Sequence, residues 1–406
     1  MNILQLTHQY PYPPDKGGRI GIFNFTKYYT QNGNKVFLIC MVHQNELVSE
    51  ELKNYCEEVH LINIDAKDKP LKALLNIFLS SLPYNIEKYY SKLFLNAIEA
   101  CIIQNKIDIV HVDHLHLAYC GVYIKQKYKI PIVLREHNIE MEIMLRFSEI
   151  TTNIFEKIYA KLMYRKFLRY EPKMCLEYNQ VFCVTERDAA ILKKLDKNIK
   201  ASVSPAGVDL EKYRFVRRKN YTKEKVILSM ATLSWKPNIH GLEWFIKEVF
   251  PIILKRINGI KFFIGGSGEV APEFVDLCNE SEDVLFKGYV KDDAELIQNS
   301  NIFVIPLFAG GGVRIKALNA FACGTPVVST SIGIEGLAVK NGRECYITDS
   351  AEAFANYICD ILEHEEIAEN MSNNAYQFVS EIFSWKSIVD KQIKQMEILV
   401  NNNKKY

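Results

Sequence analysis

The chain has 406 residues, a length that predicts two domains of roughly 200 residues each and a cleft between them. Hydrophobic residues make up 48% of the chain and charged residues 24%, a balance typical of folded globular proteins and not of disordered or fibrous ones. Fifty Lys and Arg against 48 Asp and Glu leave a net charge of +2, which is too small for a protein that binds nucleic acid through a general basic surface. We therefore exclude nucleic acid as a partner and expect any basic site to be local.

The ten cysteines are scattered along the chain without a CxxC pair or a Cys/His cluster at zinc spacing. We expect neither disulfides nor a structural metal, and reduced thiols fit a cytoplasmic protein. The first residues run directly into strand-like sequence without the charged and apolar segments of a signal peptide, so none is expected. The most apolar stretch, residues 71–82, is interrupted by Asn76, Ser80 and Ser81 and is too short to span a bilayer. Membrane contact, where it occurs, is then peripheral and at the inner face of the membrane.

Short β-rich runs alternate with helical patterns along the chain, which predicts βαβ units. A first series of predicted strands comprises residues 3–7, 36–42, 59–64, 109–112, 132–135 and 181–185. A second series follows a polar, charged stretch and comprises residues 226–230, 261–264, 284–286, 302–305 and 327–329. The fold class is therefore α/β, with two parallel, doubly wound sheets, and ligands are expected beyond the carboxyl ends of their strands.

Three segments follow from this pattern: a first domain at residues 1–205, a second at residues 206–384, and a C-terminal helix with a polar tail at residues 385–406. The apolar face of the C-terminal helix needs a surface to pack on. The sequence leaves open which domain receives it, a crossing back to the first domain being one arrangement.

The segment richest in chemistry, residues 302–316, reads as a strand, a glycine loop and the start of a helix. Three consecutive glycines allow backbone N–H groups to approach an anion, and the positive N-terminal end of the helix favours the same anion. Arg314 and Lys316 add two cationic side chains. Both can reach one ligand only if Arg314 lies in the turn before the helix or in its first turn. The alternative is that both are solvated surface charges.

Residues 306–337, centred on the run AFACGTPVVST, resemble the donor-binding signature of family 4 retaining glycosyltransferases of the GT-B fold. Residues 205–209, 265–268 and 286–290 are similar to the interlobe loop, the glycine turn and the base-contacting strand end of this family. Residues 233–238, with Trp244 and Phe245 after them, are similar to a subgroup that builds bacterial surface polysaccharides. The resemblance implies two Rossmann-like, doubly wound domains that face a central cleft, the first on the acceptor side and the second binding the nucleotide sugar.

The resemblance also implies a set of donor-binding residues: Gly17, Gly18, Trp235, Gly266, Tyr289, Val290, Gly311, Gly312, Val313, Arg314, Lys316, Asn319 and Glu335. The chain departs from the family pattern at two of them, because the usual pair of glutamates is replaced by Gly311 and Asn319. Asn319 can still form a hydrogen bond with a ribose hydroxyl, whereas Gly311 offers only its backbone. Arg314 and Lys316 are expected to neutralise the donor diphosphate.

A second glycine loop, residues 13–19, lies between the first strand and a helix. It is not a dinucleotide fingerprint, because its spacing does not match GxGxxG and the second strand ends at residues 41–43 without an acidic residue for an NAD ribose. These features argue against a dehydrogenase. In the family that the chain resembles, this loop faces the donor diphosphate.

Three histidines fall within residues 110–116, at the end of a predicted strand. Strand alternation places His111 and Asp113 on one side and His114 on the other. Similar enzymes have a histidine here that contacts the transferring sugar or the acceptor, and a second polar cluster ends the next predicted strand. We predict His114 first and His137 second as catalytic residues. A structural, hydrogen-bonded histidine is the alternative for each.

A later helix carries a basic stripe, with Lys157, Lys161, Arg165 and Arg169 at four-residue spacing. One interpretation is a solvated helix face. The other is a surface for anionic lipid or for a lipid-linked acceptor.

No Asp-x-Asp triplet occurs in the chain, so the metal-holding carboxylates of the metal-dependent sugar transferases are missing. Arg314 and Lys316 are predicted to take the catalytic place of the metal, and we expect no metal and no cofactor. The residues and the resemblance together predict a glycosyltransferase that moves a sugar from a nucleoside-diphosphate sugar to a carbohydrate or lipid-linked acceptor with retention. Two alternatives stay open: a catalytically silent homologue that binds nucleotide sugar, and a nucleotide-sugar epimerase of the same fold.

Overall fold

Each half of the computed structural model is built around its own parallel β-sheet. The chain divides into a first unit, Met1–Pro205 with Ile388–Tyr406, and a second unit, Ala206–Ser387. The structure describes residues 1–14, 17–42, 46–151, 153–217, 225–309 and 314–404. Within these ranges, no helix combines the length and the apolar character needed to cross a membrane.

The described residues of the first unit form seven strands: β1 (Asn2–Thr7), β2 (Lys35–Val42), β3 (Glu58–Asn63), β4 (Ile109–Asp113), β5 (Ile132–Glu136), β6 (Gln180–Cys183) and β7 (Ala201–Val203). All neighbours are parallel, in the order β3-β2-β1-β4-β5-β6-β7. The strand order reverses between β1 and β4, so the carboxyl ends of β1, β4 and β5 lie side by side. That is the switch point at which open α/β sheets bind ligands.

The helices of this unit connect the strands: α1 (Gly17–Gln31), α2 (Glu50–Lys53), α3 (Pro70–Leu79), α4 (Tyr84–Glu87), α5 (Lys92–Gln104), α6 (Ala118–Tyr128), α7 (Glu140–Ile150), α8 (Ile154–Glu177) and α9 (Glu186–Leu195). Side-chain caps define several of their starts. The hydroxyl of Thr185 accepts a hydrogen bond from the backbone N of Asp188 at 3.1 Å. This cap corrects the predicted strand 181–185, because β6 ends at Cys183 and Thr185 caps the N-terminus of α9.

The strands of the first sheet are covered on both faces, as the continuous apolar runs of a parallel sheet require. Ile3 and Leu4 of β1, and Val133 and Leu134 of β5, are consecutive residues that point to opposite faces, and none of them has exposed surface. Burial of each such side chain contributes about 1.5–3 kcal/mol to folding. The core therefore fixes the strand ends that carry the polar residues.

The second unit repeats this plan with six strands in its described part: β8 (Lys225–Thr232), β9 (Ile260–Ser267), β10 (Val284–Gly288), β11 (Ile302–Ile305), β12 (Val327–Ser329) and β13 (Tyr346–Ile347). Their order is β10-β9-β8-β11-β12-β13, again parallel throughout. Its helices are α10 (Lys236–Trp244), α11 (Phe250–Arg256), α12 (Pro272–Asn279), α13 (Asp293–Asn299), α14 (Ile315–Cys323), α15 (Ala351–Glu363) and α16 (Glu365–Ile382). The predicted fold class, two parallel α/β sheets, is confirmed.

The C-terminal end of helix α14 is defined by a glycine. Gly324 closes it in the left-handed conformation, with φ of +69°, which a glycine adopts without strain. Its apolar side, including Ala317, Leu318 and Phe321, is fully buried. The helix N-terminus is thereby held at the carboxyl end of β11.

The last helix, α17 (Trp385–Asn403), lies mostly in the first unit. Gln392 donates from Nε2 to the hydroxyl of Tyr29 at 2.5 Å and accepts from the hydroxyl of Ser204 at 3.0 Å. Near the end of the helix, the amide of Asn403 donates to the carbonyl of Lys129 at 3.0 Å. Buried polar contacts therefore determine where this helix packs.

Candidate functional site

The carboxyl edge of the second sheet carries the two cations singled out in the sequence. Arg314 immediately precedes α14, and Lys316 lies in the first turn of that helix. Arg314 Nε donates to the carbonyl of Ile332 at 3.0 Å, and its Nη2 lies 3.6 Å from a carboxylate oxygen of Glu335. Only 5% of the Arg314 side chain is exposed, so it is not a solvated surface charge.

Lys316 is held from the neighbouring helix. Its Nζ donates to Oδ1 of Asn238 at 3.3 Å, and Nδ2 of Asn238 donates to the carbonyl of Thr232, at the end of β8, at 2.9 Å. Burial, and then the positive charge of Arg314, lowers the pKa of Lys316 to about 8. Two cations held this close favour an anionic ligand, because an anion relieves their repulsion.

Three further predicted residues lie on neighbouring elements of the same unit. Trp235 precedes α10 and is partly exposed. Gly266 lies in β9 beside Ala231 of β8, where a Cβ atom would come within 1.7 Å of the Ala231 carbonyl oxygen, so only glycine fits. Asn319 lies on α14 near Lys316 and is partly exposed, and within the described residues its side chain forms no hydrogen bond.

The remaining predicted donor residues of this unit follow β10 or precede α14. Tyr289 is largely exposed, and a methyl group of Val290 approaches Gly265 at the end of β9. Three predicted residues lie outside the described part of the chain: Gly311, Gly312 and Val313. The second unit therefore brings Trp235, Gly266 and the two cations to one edge of its sheet.

The carboxyl edge of the first sheet carries four histidines, here called the histidine cluster: His8, His114, His116 and His137. They follow three neighbouring strands, β1, β4 and β5. The rings of His114 and His137 stack at 3.6 Å between centroids, and the His8 ring lies 4.4 Å from His114 and 4.9 Å from His116. The two predicted catalytic histidines are therefore in direct contact.

His114 has an unusual backbone. Its φ is +71°, a region that costs a non-glycine residue about 1–3 kcal/mol and that is concentrated at functional sites. The start of α1 lies against its ring, because a Cβ atom on Gly18 would come within 3.4 Å of His114 Nε2. Helix α1 begins one residue earlier, at Gly17. The predicted glycine loop and the predicted histidine thus meet in one place.

His137 is positioned by a buried pair of charges. Arg135 Nη1 donates to His137 Nε2 at 2.8 Å, and a carboxylate oxygen of Asp113 lies 3.3 Å from the same nitrogen. Gln5 donates to the other carboxylate oxygen of Asp113 at 2.9 Å. The guanidinium of Arg135 also lies 4.7 Å from the ring centre of Phe25. These contacts fix the ring orientation of His137.

Three histidines of the cluster, His114, His116 and His137, are neutral near physiological pH. Burial, and then electrostatic repulsion that neighbouring histidines would exert if protonated, lowers the pKa of His114 well below its usual value. Burial, and then Arg135, does the same for His137. Burial and Lys88 lower the pKa of His116 to about 4. Neutral imidazoles can donate and accept hydrogen bonds with sugar hydroxyls, but they add no charge.

Among the described residues, His8, His114 and His116 also have the disposition of metal ligands, with one nitrogen of each within 4.8 Å of the others. Neutral imidazole suits zinc and similar transition metals. The prediction of a metal-independent protein is not tested by this geometry.

Three buried carboxyl groups lie near the end of β5, next to the histidine cluster: Glu136, Glu140 and Glu171. Glu171 of α8 accepts from the backbone N of Glu140 at 2.8 Å and of Met141 at 3.0 Å. Burial, and then Glu171, raises the pKa of Glu136 well above its usual value. Burial, and then Glu171, raises the pKa of Glu140 to about 7. One of these carboxyls therefore holds a proton at neutral pH.

Sequence reasoning missed three residues of these clusters. Asn238 is the last residue of the segment 233–238, and only its hydrogen bond with Lys316 identifies it. His8 follows the first predicted strand directly, which was a usable signal because β1 and β4 are neighbours at a switch point. Glu171 lies in the middle of a helix, and nothing in the sequence placed it beneath α7.

Comparisons with known proteins agree with this geometry. The model described as "Glycosyltransferase Family 4" matches residues 16–212, and "Glycosyl transferases group 1" matches residues 224–364. The chain is 24% identical to an uncharacterized 44.6 kDa protein in the cps region of Klebsiella pneumoniae, covering 97% of this chain and 99% of that one. It is 25% identical to the UDP-Gal:alpha-D-GlcNAc-diphosphoundecaprenol alpha-1,3-galactosyltransferase of Escherichia coli, covering 80% and 84%.

The fold is shared with a solved structure. Sucrose-phosphate synthase of Thermosynechococcus elongatus superimposes with a TM-score of 0.66 at 16% identity, covering 99% of this chain and 100% of that one. The architecture is thus the GT-B fold, and the two family models together span most of the chain. The protein is therefore a glycosyltransferase of the GT-B fold, in which a Glycosyltransferase Family 4 domain is followed by a Glycosyl transferases group 1 domain.

Proposed function

We propose that the protein transfers a sugar from a nucleoside-diphosphate sugar to a lipid-linked carbohydrate acceptor, with retention of anomeric configuration, during synthesis of a cell-surface polysaccharide. The observation that carries this proposal is the pair of cations at the N-terminus of α14, the buried Arg314 and the partly buried Lys316. Negative charge grows on the leaving diphosphate as the sugar–oxygen bond breaks. Cations and helix amides placed at that group stabilise the charge.

The residues have separate roles in this proposal. Arg314 and Lys316 hold the diphosphate, and Asn319 binds a ribose hydroxyl. His114 and His137 form hydrogen bonds with the sugar or the acceptor, which suits neutral imidazoles held in a fixed orientation. Retention by front-face attack needs no protein nucleophile, and neither a metal nor a cofactor takes part.

The acceptor class is supported by the relatives. The Escherichia coli relative is named for a diphosphoundecaprenol-linked acceptor, and the Klebsiella pneumoniae relative for its cps region. A lipid-linked acceptor requires the protein to work at a membrane surface. We therefore place it in the cytoplasm with peripheral contact to the inner face of the membrane.

The basic stripe on α8 supports this contact. Lys161, Arg165 and Arg169 are exposed on the helix, and Lys157 is partly exposed. Basic residues near an anionic leaflet contribute about 1 kcal/mol each. Binding to phosphatidylglycerol vesicles should fall steeply with salt and with Arg165→Glu. Binding that changes neither with salt nor with Arg165→Glu would show that the stripe is only a solvated helix face.

A panel of UDP-, GDP- and ADP-sugars, offered with N-acetylglucosamine-diphosphoundecaprenol, tests the function directly. Transfer gives a heavier lipid-linked product and a free nucleoside diphosphate, and the anomeric signal of the product reports retention. An epimerase would convert the nucleotide sugar without acceptor. A silent homologue would bind a nucleotide sugar and leave it unchanged, which would contradict the proposal.

A further inference from the structure

Helix α3 buries a polar residue and exposes its large apolar side chains, the reverse of the usual arrangement of a surface helix. Its buried residue is Asn76, while its large apolar side chains face outward: Leu71, Leu74, Leu75, Phe78 and Leu79. Phe78 is 78% exposed and Leu79 is 79% exposed. Contiguous apolar surface of this kind marks an interaction site, whereas single exposed residues are normal.

Hydrogen bonds from helix α8 stabilise this orientation of α3. Lys166 of α8 donates from Nζ to both the carbonyl and the side-chain oxygen of Asn76, at 2.7 and 2.9 Å, and to the carbonyl of Ser80 at 2.8 Å. The Asn76 amide donates to Leu82 O at 3.0 Å. These bonds satisfy the polar face of α3 against the protein, so its apolar face has to point away.

A cavity of about 580 Å³ opens beside this face, between α3, the segment after β3 and α4. Its lining combines apolar side chains of α3, such as Leu75 and Leu79, with the ammonium groups of Lys67, Lys72 and Lys88. Lys88 pairs with Asp68 at 2.7 Å. Lys67 interacts electrostatically with the nearby Asp65, which pairs with Lys69 at 2.5 Å, and within the described residues Lys72 forms no ion pair with a carboxylate. Four lysines line the cavity against two carboxylates, Asp65 and Glu87, so the lining carries a net positive charge that favours an anion.

The cavity adjoins the histidine cluster. Lys88 and Tyr90 line it, and the residue between them, Tyr89, places its ring 5.0 Å from His116 and 5.3 Å from His8. An anion held by the lysines is thus close to the predicted acceptor side of the catalytic site. An attached chain of hydrocarbon would meet α3.

We propose that α3 and this cavity bind the polyprenyl diphosphate part of the acceptor, with the prenyl chain on the apolar face of α3 and the diphosphate at Lys67 and Lys72. The sugar end then extends toward His116. This inference rests on the proposed function, because it names where the lipid-linked acceptor is held. It commits to a diphosphate lipid and not to an anionic membrane surface in general.

Vesicle flotation with the full chain tests the assignment. Phosphatidylcholine vesicles doped with undecaprenyl diphosphate should capture the protein about ten-fold better than phosphatidylglycerol vesicles of the same total charge, because the lysines converge on one headgroup. Phe78→Ser with Leu74→Ser should abolish the excess capture on the undecaprenyl diphosphate vesicles and leave the salt-dependent binding of the basic stripe to phosphatidylglycerol. Ile103→Ser, which also changes an exposed apolar residue of the first unit, should leave capture intact.

Charge reversal separates the two parts of the site. Lys67→Glu with Lys72→Glu should lower capture on the diphosphate vesicles by roughly ten-fold, which removes their advantage over phosphatidylglycerol vesicles. The contribution of the apolar face of α3 to capture should remain. Lys106→Glu, an exposed lysine elsewhere in the unit, should change nothing. Equal capture on phosphatidylglycerol, or a preference that survives the double reversal, would overturn the proposal.

Two controls keep the outcome specific. Sedimentation of the wild type and of Phe78→Ser tests whether a second copy of the chain covers α3 instead. If the wild type is a dimer, and Phe78→Ser is a monomer that still binds the lipid, the assignment is overturned. Calorimetry with UDP reports the donor site separately. Lipid capture without nucleotide binding would contradict the proposed function and leave the lipid site standing.

Discussion

Lys316 of α14 and Asn238 of α10 are joined by a hydrogen bond of 3.3 Å between Nζ and Oδ1. The bond orients an amine whose pKa is lowered to about 8 by burial and then by Arg314. In the free protein this amine loses its charge as the pH rises through that value. A diphosphate binds the charged form, so binding is linked to proton uptake above it.

We therefore expect the Kd for UDP to be constant at neutral pH and to rise by up to about ten-fold per pH unit above the pKa of Lys316. Lys316→Arg keeps its charge at all these pH values and should move the rise to higher pH. Calorimetry across the pH range measures both. Identical pH profiles for the two proteins would contradict a role of Lys316 at the diphosphate.

Arg314→Ala should lower kcat by about 10² to 10³, the usual loss when one preorganised charge-stabilising donor is removed. The guanidinium is already oriented by Ile332 and Glu335, so the substitution removes a preorganised donor. Arg343→Ala, which removes an exposed arginine paired with Glu344, serves as the control. A decrease of less than a few-fold for Arg314→Ala would assign that residue to structure alone.

Asn319→Ala should weaken donor binding by roughly 1 to 2 kcal/mol and leave the fold intact, the net value of one or two neutral hydrogen bonds. Its partly exposed side chain forms no hydrogen bond to other described residues, so little is lost in the free protein. A deoxyribose nucleotide should lose the same increment with the wild type and nothing more with the variant. Additive losses in this double-mutant cycle would show that the residue does not touch the ribose.

Turnover should persist in excess EDTA, because side chains and helix amides, and not a divalent ion, neutralise the diphosphate in our proposal. The assay compares initial rates of transfer with and without chelator. Complete loss of activity, restored by manganese or magnesium, would refute this prediction.

Glu140→Gln should stabilise the protein increasingly as the pH rises. Burial, and then Glu171, raises the pKa of Glu140 from 4.5 to about 7, so the folded state retains a proton that the unfolded chain releases. Stability from this group is present below pH 4.5 and is lost as the pH rises through 7. The glutamine removes that loss, which should raise Tm by about 2 to 4 °C for each kcal/mol relieved.

Thermal melts of wild type and Glu140→Gln at acidic and alkaline pH measure the difference. Glu149→Gln, an exposed carboxylate on the same helix, should show no pH-dependent gain. A gain in Tm that does not change with pH would mean that packing, and not the buried charge, is responsible.

Much of the fold could be predicted because the determining signals are local. Apolar runs bounded by polar turns placed most of the strands to within a residue or two. Two strands were missed, β7 with three residues and β13 with two, since neither is long enough to show a period. The predicted end of β6 was wrong for a local reason too, because Thr185 caps a helix.

The places of several candidate site residues followed from the same signals. Arg314, Lys316 and the histidine after β4 lie near strand ends whose position follows from the parallel sheet, and their roles stay predictions. The resemblance to a known family supplied the remaining donor residues. Neither the local pattern nor the resemblance identified the hydrogen-bond partners of these residues. Examples are Asn238 for Lys316 and Glu171 for the backbone at the start of α7.

The sequence by itself determined the two parallel sheets, the strand ends and the residue types that stand there, because burial and turn chemistry act over a few neighbouring positions. Only the tertiary structure decided which distant residues meet. It joins His8 to His114 and returns α17 to the first unit through Gln392 and Tyr29. It also turns the leucines of α3 outward, because Lys166, from another helix, satisfies Asn76. Such contacts depend on strand order and on long-range hydrogen bonds, which no local pattern encodes.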